Sequence, residues 1–140
     1  MLDDLHIDFI GPGVMAEAMV RGLIERAGVS PDQIRMSGPR QERLDDLVTT
    51  YGVSTMTDNR ESVKGADVIV IAVKPQTLMG ALKDLGGAIE KDALVLSIVA
   101  GATLEGLSES LKHGAIVRAM PNTPAQIGRG ITVWTSTDSV

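Results

Sequence analysis

The residues best suited to chemistry form a short glycine-rich run, Gly11-Pro12-Gly13-Val14-Met15-Ala16, which fits G-x-G-x-x-G/A. It follows an apolar segment, Leu5-His6-Ile7-Asp8-Phe9-Ile10, and opens a stretch with helical spacing, the context that makes the pattern informative. Gly11 permits a tight turn, Gly13 removes a side chain where a pyrophosphate would approach the backbone, and Ala16 allows close helix-to-strand packing. The first turn of the helix supplies unpaired N–H groups and a partial positive charge for phosphates. Pro12 has no N–H, so those bonds must come from Gly13, Val14 and Met15. The plainer reading is a βα turn with a structural role only.

A second group lies at the end of the next apolar stretch, in Ser37-Gly38-Pro39-Arg40. A site for NAD usually places Asp or Glu there, on the ribose hydroxyls. No carboxylate lies between Ile34 and Gln41. A hydroxyl, free amides and a guanidinium suit a dianionic 2′-phosphate, so NADP (NADPH) is the expected cofactor, with NAD possible. Arg40 is otherwise a solvated first-turn arginine, badly placed against the helix dipole. Lys74 and Pro75 are either a strand end and a helix opening or contacts to a cofactor. Asn122, with Pro121 before it and Pro124 after it, reads by itself as a turn residue. His6 and His113 have no acidic partner at metal-ligand or triad spacing and read as incidental, so neither a metal site nor a catalytic residue is assigned. Glu17 and Arg21 are expected to pair at i, i+4.

Positioning these groups requires strands and helices in alternation. Strands are expected over residues 5–10, 34–37, 53–56, 67–73, 93–99 and 115–120, with a last β segment at 131–134. The run Asp67-Val68-Ile69-Val70-Ile71-Ala72-Val73 is apolar on both faces, as a central parallel strand must be. A helix from Val14 to about Ala27 would bury Val14, Met15, Ala18, Met19, Gly22 and Leu23. Ser30-Pro31-Asp32-Gln33 reads as a capping box, and Asp58 with Glu61 as another. Pro39 opens a helix that Gly52 stops, Pro75 opens one with Leu78, Met79, Leu82 and Leu85 as its buried stripe, and Thr103 caps a third. The fold class is therefore α/β, a doubly wound, mostly parallel sheet of the Rossmann type, with helices on both faces.

The chain has 140 residues, 44% apolar and 22% charged, which describes one soluble globular domain and is too short for two. The dinucleotide-binding domain is expected over residues 1–135, with 136–140 the start of a linker or of a truncated remainder. No cysteine is present, which excludes disulfides, thiolate zinc sites and thiol nucleophiles. A net charge of −5 argues against nucleic acid, and one Phe, one Tyr and one Trp cannot build a base-stacking platform. No apolar run is long enough to cross a membrane, and the acidic start is unlike a targeting segment, so a cytoplasmic location is expected.

Taken together, these stretches resemble the amino-terminal domain of the pyrroline-5-carboxylate reductases. The resemblance is carried by Phe9 to Ala16, Ala72-Val73-Lys74-Pro75-Gln76, Ala100-Gly101-Ala102-Thr103-Leu104 and Met120-Pro121-Asn122-Thr123-Pro124-Ala125, the last being the most specific. It implies reduction of a cyclic imine to proline by hydride from NADPH or NADH. It also implies that Ile10 to Met15 line the pyrophosphate, that Ser37 faces the 2′ side and that Asn59 meets the adenosine portion. Ala72 to Pro75 would form the strand-end loop over the cofactor, and Val99, Ala100, Gly101 and Asn122 would lie towards the nicotinamide. Val14 departs from the polar amide residue common in that family. The resemblance further implies a helical second domain that holds the small-molecule substrate and forms a homo-oligomer, so this chain is expected to bind NADPH without turning over the imine. The alternatives are the cofactor domain of a related 3-hydroxyacid dehydrogenase or deazaflavin-dependent NADP reductase, and a non-catalytic NADP-binding module.

Overall fold

Short apolar runs with β-branched residues become strands, and the amphipathic stretches between them fold back as helices. The computed structural model describes residues 2–140. The strands are β1 (Ile7–Ile10), β2 (Ile34–Ser37), β3 (Ser54–Met56), β4 (Val68–Ile71), β5 (Leu94–Ser97), β6 (Ile116–Pro121) and β7 (Thr132–Ser136). The helices are α1 (Val14–Glu25), α2 (Gln41–Tyr51), α3 (Asn59–Ser62), α4 (Leu78–Leu85) and α5 (Leu104–Leu111). They build one seven-stranded sheet in the order β3-β2-β1-β4-β5-β6-β7. Neighbours from β3 through to β6 are parallel, and only β7 runs antiparallel, against β6. The doubly wound, mostly parallel α/β architecture is the expected one.

Alternation along the strands divides the core in two. Ile7, Phe9 and Val70 join Ile34, Met36, Ala16, Val20 and Leu47 under α1 and α2. Ile10, Ile69, Ile71 and Val95 face the other way, against Leu78, Leu82, Leu85 and Leu107 of α4 and α5. Each buried Leu or Ile contributes about 1.5–3 kcal/mol, so both layers hold the strand ends rigidly.

Several local expectations change. The buried side of α1 is Ala16 and Val20, with Met19, Leu23 and Ile24 partly covered, whereas Val14 is 65% exposed. Val14 is the first residue of α1 and lies off the face that carries Ala16 and Val20. Met79 is likewise 71% exposed, and the stripe of α4 is Leu78, Ala81, Leu82 and Leu85, spaced i, i+3, i+4 and i+7. Strands β4 and β5 stop at Ile71 and Ser97 although the apolar runs continue, because β1 ends in register with them at Ile10. Asp58 caps α3 by accepting from the Arg60 and Glu61 amides at 2.9 and 3.1 Å, but Glu61 turns away to Lys64 Nζ at 2.8 Å. The Gln33 side chain does reach back to the Ser30 amide, at 3.0 Å.

The sheet also runs past residue 135. Strand β7 ends at Ser136, and the Thr137 amide donates to the Ile116 carbonyl at 2.9 Å. Ser136 and Thr137 thus belong to the sheet layer. Both faces of β7 are open: Val133 and Trp134 are 69% and 66% exposed.

Candidate functional site

In an open parallel sheet the strand ends gather at one edge, and ligands bind where the connections leave in opposite directions. Here that point lies between β1 and β4, since the chain steps outward from β1 to β2 and β3 and then returns to β4. Ile10 is in register with Ser37 on one side and with Ile71 on the other, and Ile71 with Ser97. The turn after β1 is therefore flanked by the segments that begin at Gly38, at Ala72 and, one strand further out, at Ile98.

Gly11 closes that turn with φ +101°, a conformation that favours glycine. A Cβ there would come within 2.8 Å of the Ala72 carbonyl oxygen and 2.9 Å of the Val73 nitrogen. Gly13 differs: its φ is −80°, and an added Cβ would meet nothing within 4 Å. The missing side chain leaves open space at the N-terminus of α1. The first helical bond is from the Glu17 amide to the Gly13 carbonyl at 3.0 Å, so the Val14 and Met15 amides have no acceptor within the helix.

Ser37, at the end of β2, is fully buried, and its hydroxyl donates to Asn59 Oδ1 at 2.8 Å. That bond ties β2 to the first residue of α3. Arg40 is exposed at the N-cap of α2 and makes no capping bond with its side chain. Beside these residues opens a cleft of about 660 Å³, lined by Pro39, Asp58, Asn59, Val73, Thr77 and Asp84 among others. Its size and its position at the strand ends suit a nucleoside.

Ala72 and Val73 follow β4, with the Ala72 amide donating to the Ile10 carbonyl at 2.8 Å. Lys74 and Pro75 are exposed, and the Lys74 carbonyl accepts the Thr77 amide as a single 3-10 turn begins at Pro75. Val99 is buried while Ala100 and Gly101 are exposed in the loop after β5, with Gly101 at φ +81°. Asn122, after β6, accepts the Ile131 amide on Oδ1 at 3.0 Å, which pins the loop between β6 and β7. The residues singled out for the cofactor thus fall at the carboxyl-terminal edge of the sheet.

The expected Glu17–Arg21 pair does not form a bond. Arg21 donates to the Gln126 carbonyl, and Glu17 instead takes Arg43 Nη2 and the Tyr51 hydroxyl, the latter at 2.8 Å. Arg43 holds the Glu17 carboxyl below the usual range, and the Tyr51 bond adds to this. Burial, with Glu17 beside it, raises the Tyr51 phenol. Arg43 Nε also donates to the Pro12 carbonyl at 2.9 Å. His6 lies with Nδ1 3.8 Å from Asp67 on an exposed surface, and His113 Nε2 is 2.7 Å from the Ala93 carbonyl, both at distant points of the fold.

Residues 6–101 match the family of NADP oxidoreductases described as coenzyme F420-dependent. The chain belongs to that family. It is 41% identical over 128 residues to the pyrroline-5-carboxylate reductase of Synechocystis sp., covering 91% of this chain and 48% of that relative. Among solved structures it is similar to a pyrroline-5-carboxylate reductase from Coxiella burnetii, with TM-score 0.89 and 37% identity over 99% of this chain and 52% of the other. It is also similar to the Plasmodium falciparum pyrroline carboxylate reductase with NADP bound, with TM-score 0.82 and 25% identity over 99% of this chain and 50% of the other. The chain spans about half the length of the curated relatives it matches.

Reading the sequence did not single out Arg43, Tyr51 or the cleft residues Thr77 and Asp84 of this NADP oxidoreductase-family domain. The contacts of Arg43 and Tyr51 with Glu17 cross 26 and 34 positions, and no local spacing announces them. Among the described residues no helix is long and apolar enough to cross a membrane, and no cluster of His, Asp and Glu is arranged to hold a metal ion.

Proposed function

We propose that this chain is the NADPH-binding domain of a pyrroline-5-carboxylate reductase, which transfers hydride to a cyclic imine to give proline. The observation that carries the reading is the turn at Gly11 to Gly13. It combines a glycine-only conformation pressed against Ala72 with open space and unpaired helix amides at Gly13. A pyrophosphate fits there because it needs both close backbone approach and N–H donors. Ile10 to Met15 would hold it, and Arg40, with Asn59 held in place by the Ser37 hydroxyl, would hold the phosphorylated ribose. Ala72, Val73, Lys74 and Pro75 would cover the adenosine side, with Val99, Ala100, Gly101 and Asn122 towards the nicotinamide. NADPH, when bound, supplies the hydride. This chain's own residues fix its orientation and, at Arg40, favour the 2′-phosphate over a free hydroxyl.

The pyrroline-5-carboxylate reductase reading is supported over the deazaflavin-linked one by relatives of that name matching nine-tenths of the chain. Substrate binding and catalysis by the whole enzyme, its homo-oligomeric assembly and its cytoplasmic location are part of the same proposal. The exposed Met120, Ile131, Val133 and Trp134 around β7 support a partner surface. Two experiments test the reading. Calorimetric titration of the 140-residue chain with NADPH should give one saturable site, and no binding would refute the cofactor assignment. A hybrid in which this chain replaces the corresponding half of the Synechocystis relative should reduce pyrroline-5-carboxylate. A folded, NADPH-binding hybrid without that activity would refute the assignment to this enzyme.

A further inference from the structure

We infer that Arg43, on α2, is a positioning residue that aims the Gly13 amide at the cofactor pyrophosphate. The inference rests on the cofactor reading above and adds a residue to it. Pro12 is gripped from two sides by the segment that follows β2. Its ring packs on Gly38, where an added Cβ would fall 2.6 Å from both Pro12 Cγ and Cδ. Its carbonyl oxygen accepts Arg43 Nε at 2.9 Å.

The Pro12 carbonyl and the Gly13 N–H belong to one peptide unit. A trans peptide is planar, with C=O and N–H pointing in opposite directions, and no bond among the described residues is cis. Holding the carbonyl towards α2 therefore turns the Gly13 N–H away from α2. Gly13 has no side chain and Pro12 no N–H, so this amide is the first donor of the turn, and without Arg43 the peptide is free to rotate.

The guanidinium is itself fixed. Its Nη2 donates to Glu17 in the first turn of α1, and Tyr51 OH donates to the other Glu17 oxygen at 2.8 Å. One planar fork thus bonds the turn carbonyl with Nε and the helix that follows the turn with Nη2. A lysine has no such pair of donors at fixed spacing. Because α2 begins at the residue after Arg40, the segment that would read the 2′-phosphate also sets the amide that would read the pyrophosphate.

The test compares NADPH with adenosine 2′-monophosphate, which carries the 2′-phosphate but no pyrophosphate. Arg43→Met should weaken NADPH about tenfold and change adenosine 2′-monophosphate less than twofold, both by calorimetric titration. Arg43→Lys, which keeps the charge beside Glu17 and loses the fork, should show the same split at about threefold, and it carries the test if Arg43→Met does not fold. Equal weakening of both ligands would make Arg43 a merely structural support for α2 and overturn the inference, as would unchanged NADPH affinity in both variants. A wild-type chain that binds no NADPH would instead refute the cofactor reading, before any variant is compared.

Discussion

Replacing Arg40 by alanine should lower the affinity for NADPH and leave that for NADH within about twofold. The structure narrows the donors available to a 2′-phosphate. The Ser37 proton is engaged by Asn59 Oδ1 at 2.8 Å, the Gly38 amide donates to the Met56 carbonyl at 3.2 Å, and Pro39 has no amide. What remains is the Arg40 guanidinium and the free first-turn amides of α2 behind it. A hydrogen bond to a charged group is worth about 1.5–3 kcal/mol, and an exposed ion pair about 0.2–1 kcal/mol. Arg40 is exposed, so the contribution falls between these, at about 1–1.4 kcal/mol, or about five- to tenfold in Kd. The assay is calorimetric titration with each cofactor at low salt and at about 0.5 M salt. Screening is nearly complete at the higher salt, so the wild-type and Arg40→Ala affinities for NADPH should converge there. Equal loss for both cofactors, or an NADPH affinity that the substitution leaves unchanged at low salt, would refute the reasoning.

The two turn glycines should separate folding from binding. Gly11→Ala combines a φ of +101° with backbone contacts of 2.8–2.9 Å, and should cost about 3 kcal/mol, seen as a melting temperature lower by roughly 10 °C. Gly13→Val meets no neighbour within 4 Å and should melt within a few degrees of wild type while losing NADPH binding; retained affinity would make the turn purely structural. Asp8 is 1% exposed in the middle of β1, and neither carboxylate oxygen has a hydrogen-bond partner. Burial pushes its carboxyl up to about 6, and the charge of Arg35 with the nearby dipoles of the Ser62 hydroxyl and Phe9 amide, none in hydrogen-bonding geometry, offset only part of the cost. A raised folded-state value means that the native state holds its proton more tightly, so this group favours folding below about pH 4 and that stability is lost as pH rises through about 6. The full shift corresponds to about 3 kcal/mol, of which roughly 2–2.5 kcal/mol falls between pH 4 and pH 7.5, so Asp8→Asn should gain that much relative to wild type over this range in urea unfolding. Parallel pH profiles for the two proteins would contradict this.

The parts that were legible from the residues are those whose cause is local. The turn at Gly11 to Ala16 could be read because its glycines, its preceding apolar strand and its following helix are contiguous. Strand β4 could be read because four apolar residues in a row fit only a strand buried on both faces. The errors arose where tertiary position decides. Val14 and Met79 have helical spacing to buried residues, yet each lies off the face its helix buries, which is Ala16 and Val20 in α1 and Leu78, Ala81, Leu82 and Leu85 in α4. Asp8 lies in an apolar strand whose period gives no sign that a carboxylate is shut inside it without a partner. The same limit separates the two halves of the cofactor turn. The positive φ at Gly11 is announced by its own residue type, whereas the Pro12 carbonyl answers to Arg43, 31 residues away. What brings those two together is the pairing of Ile10 with Ser37, which starts both connecting segments at the same sheet edge. The phosphate turn is therefore a product of strand register as much as of its glycines, and a slip of β2 against β1 would leave the motif intact and its amide misdirected.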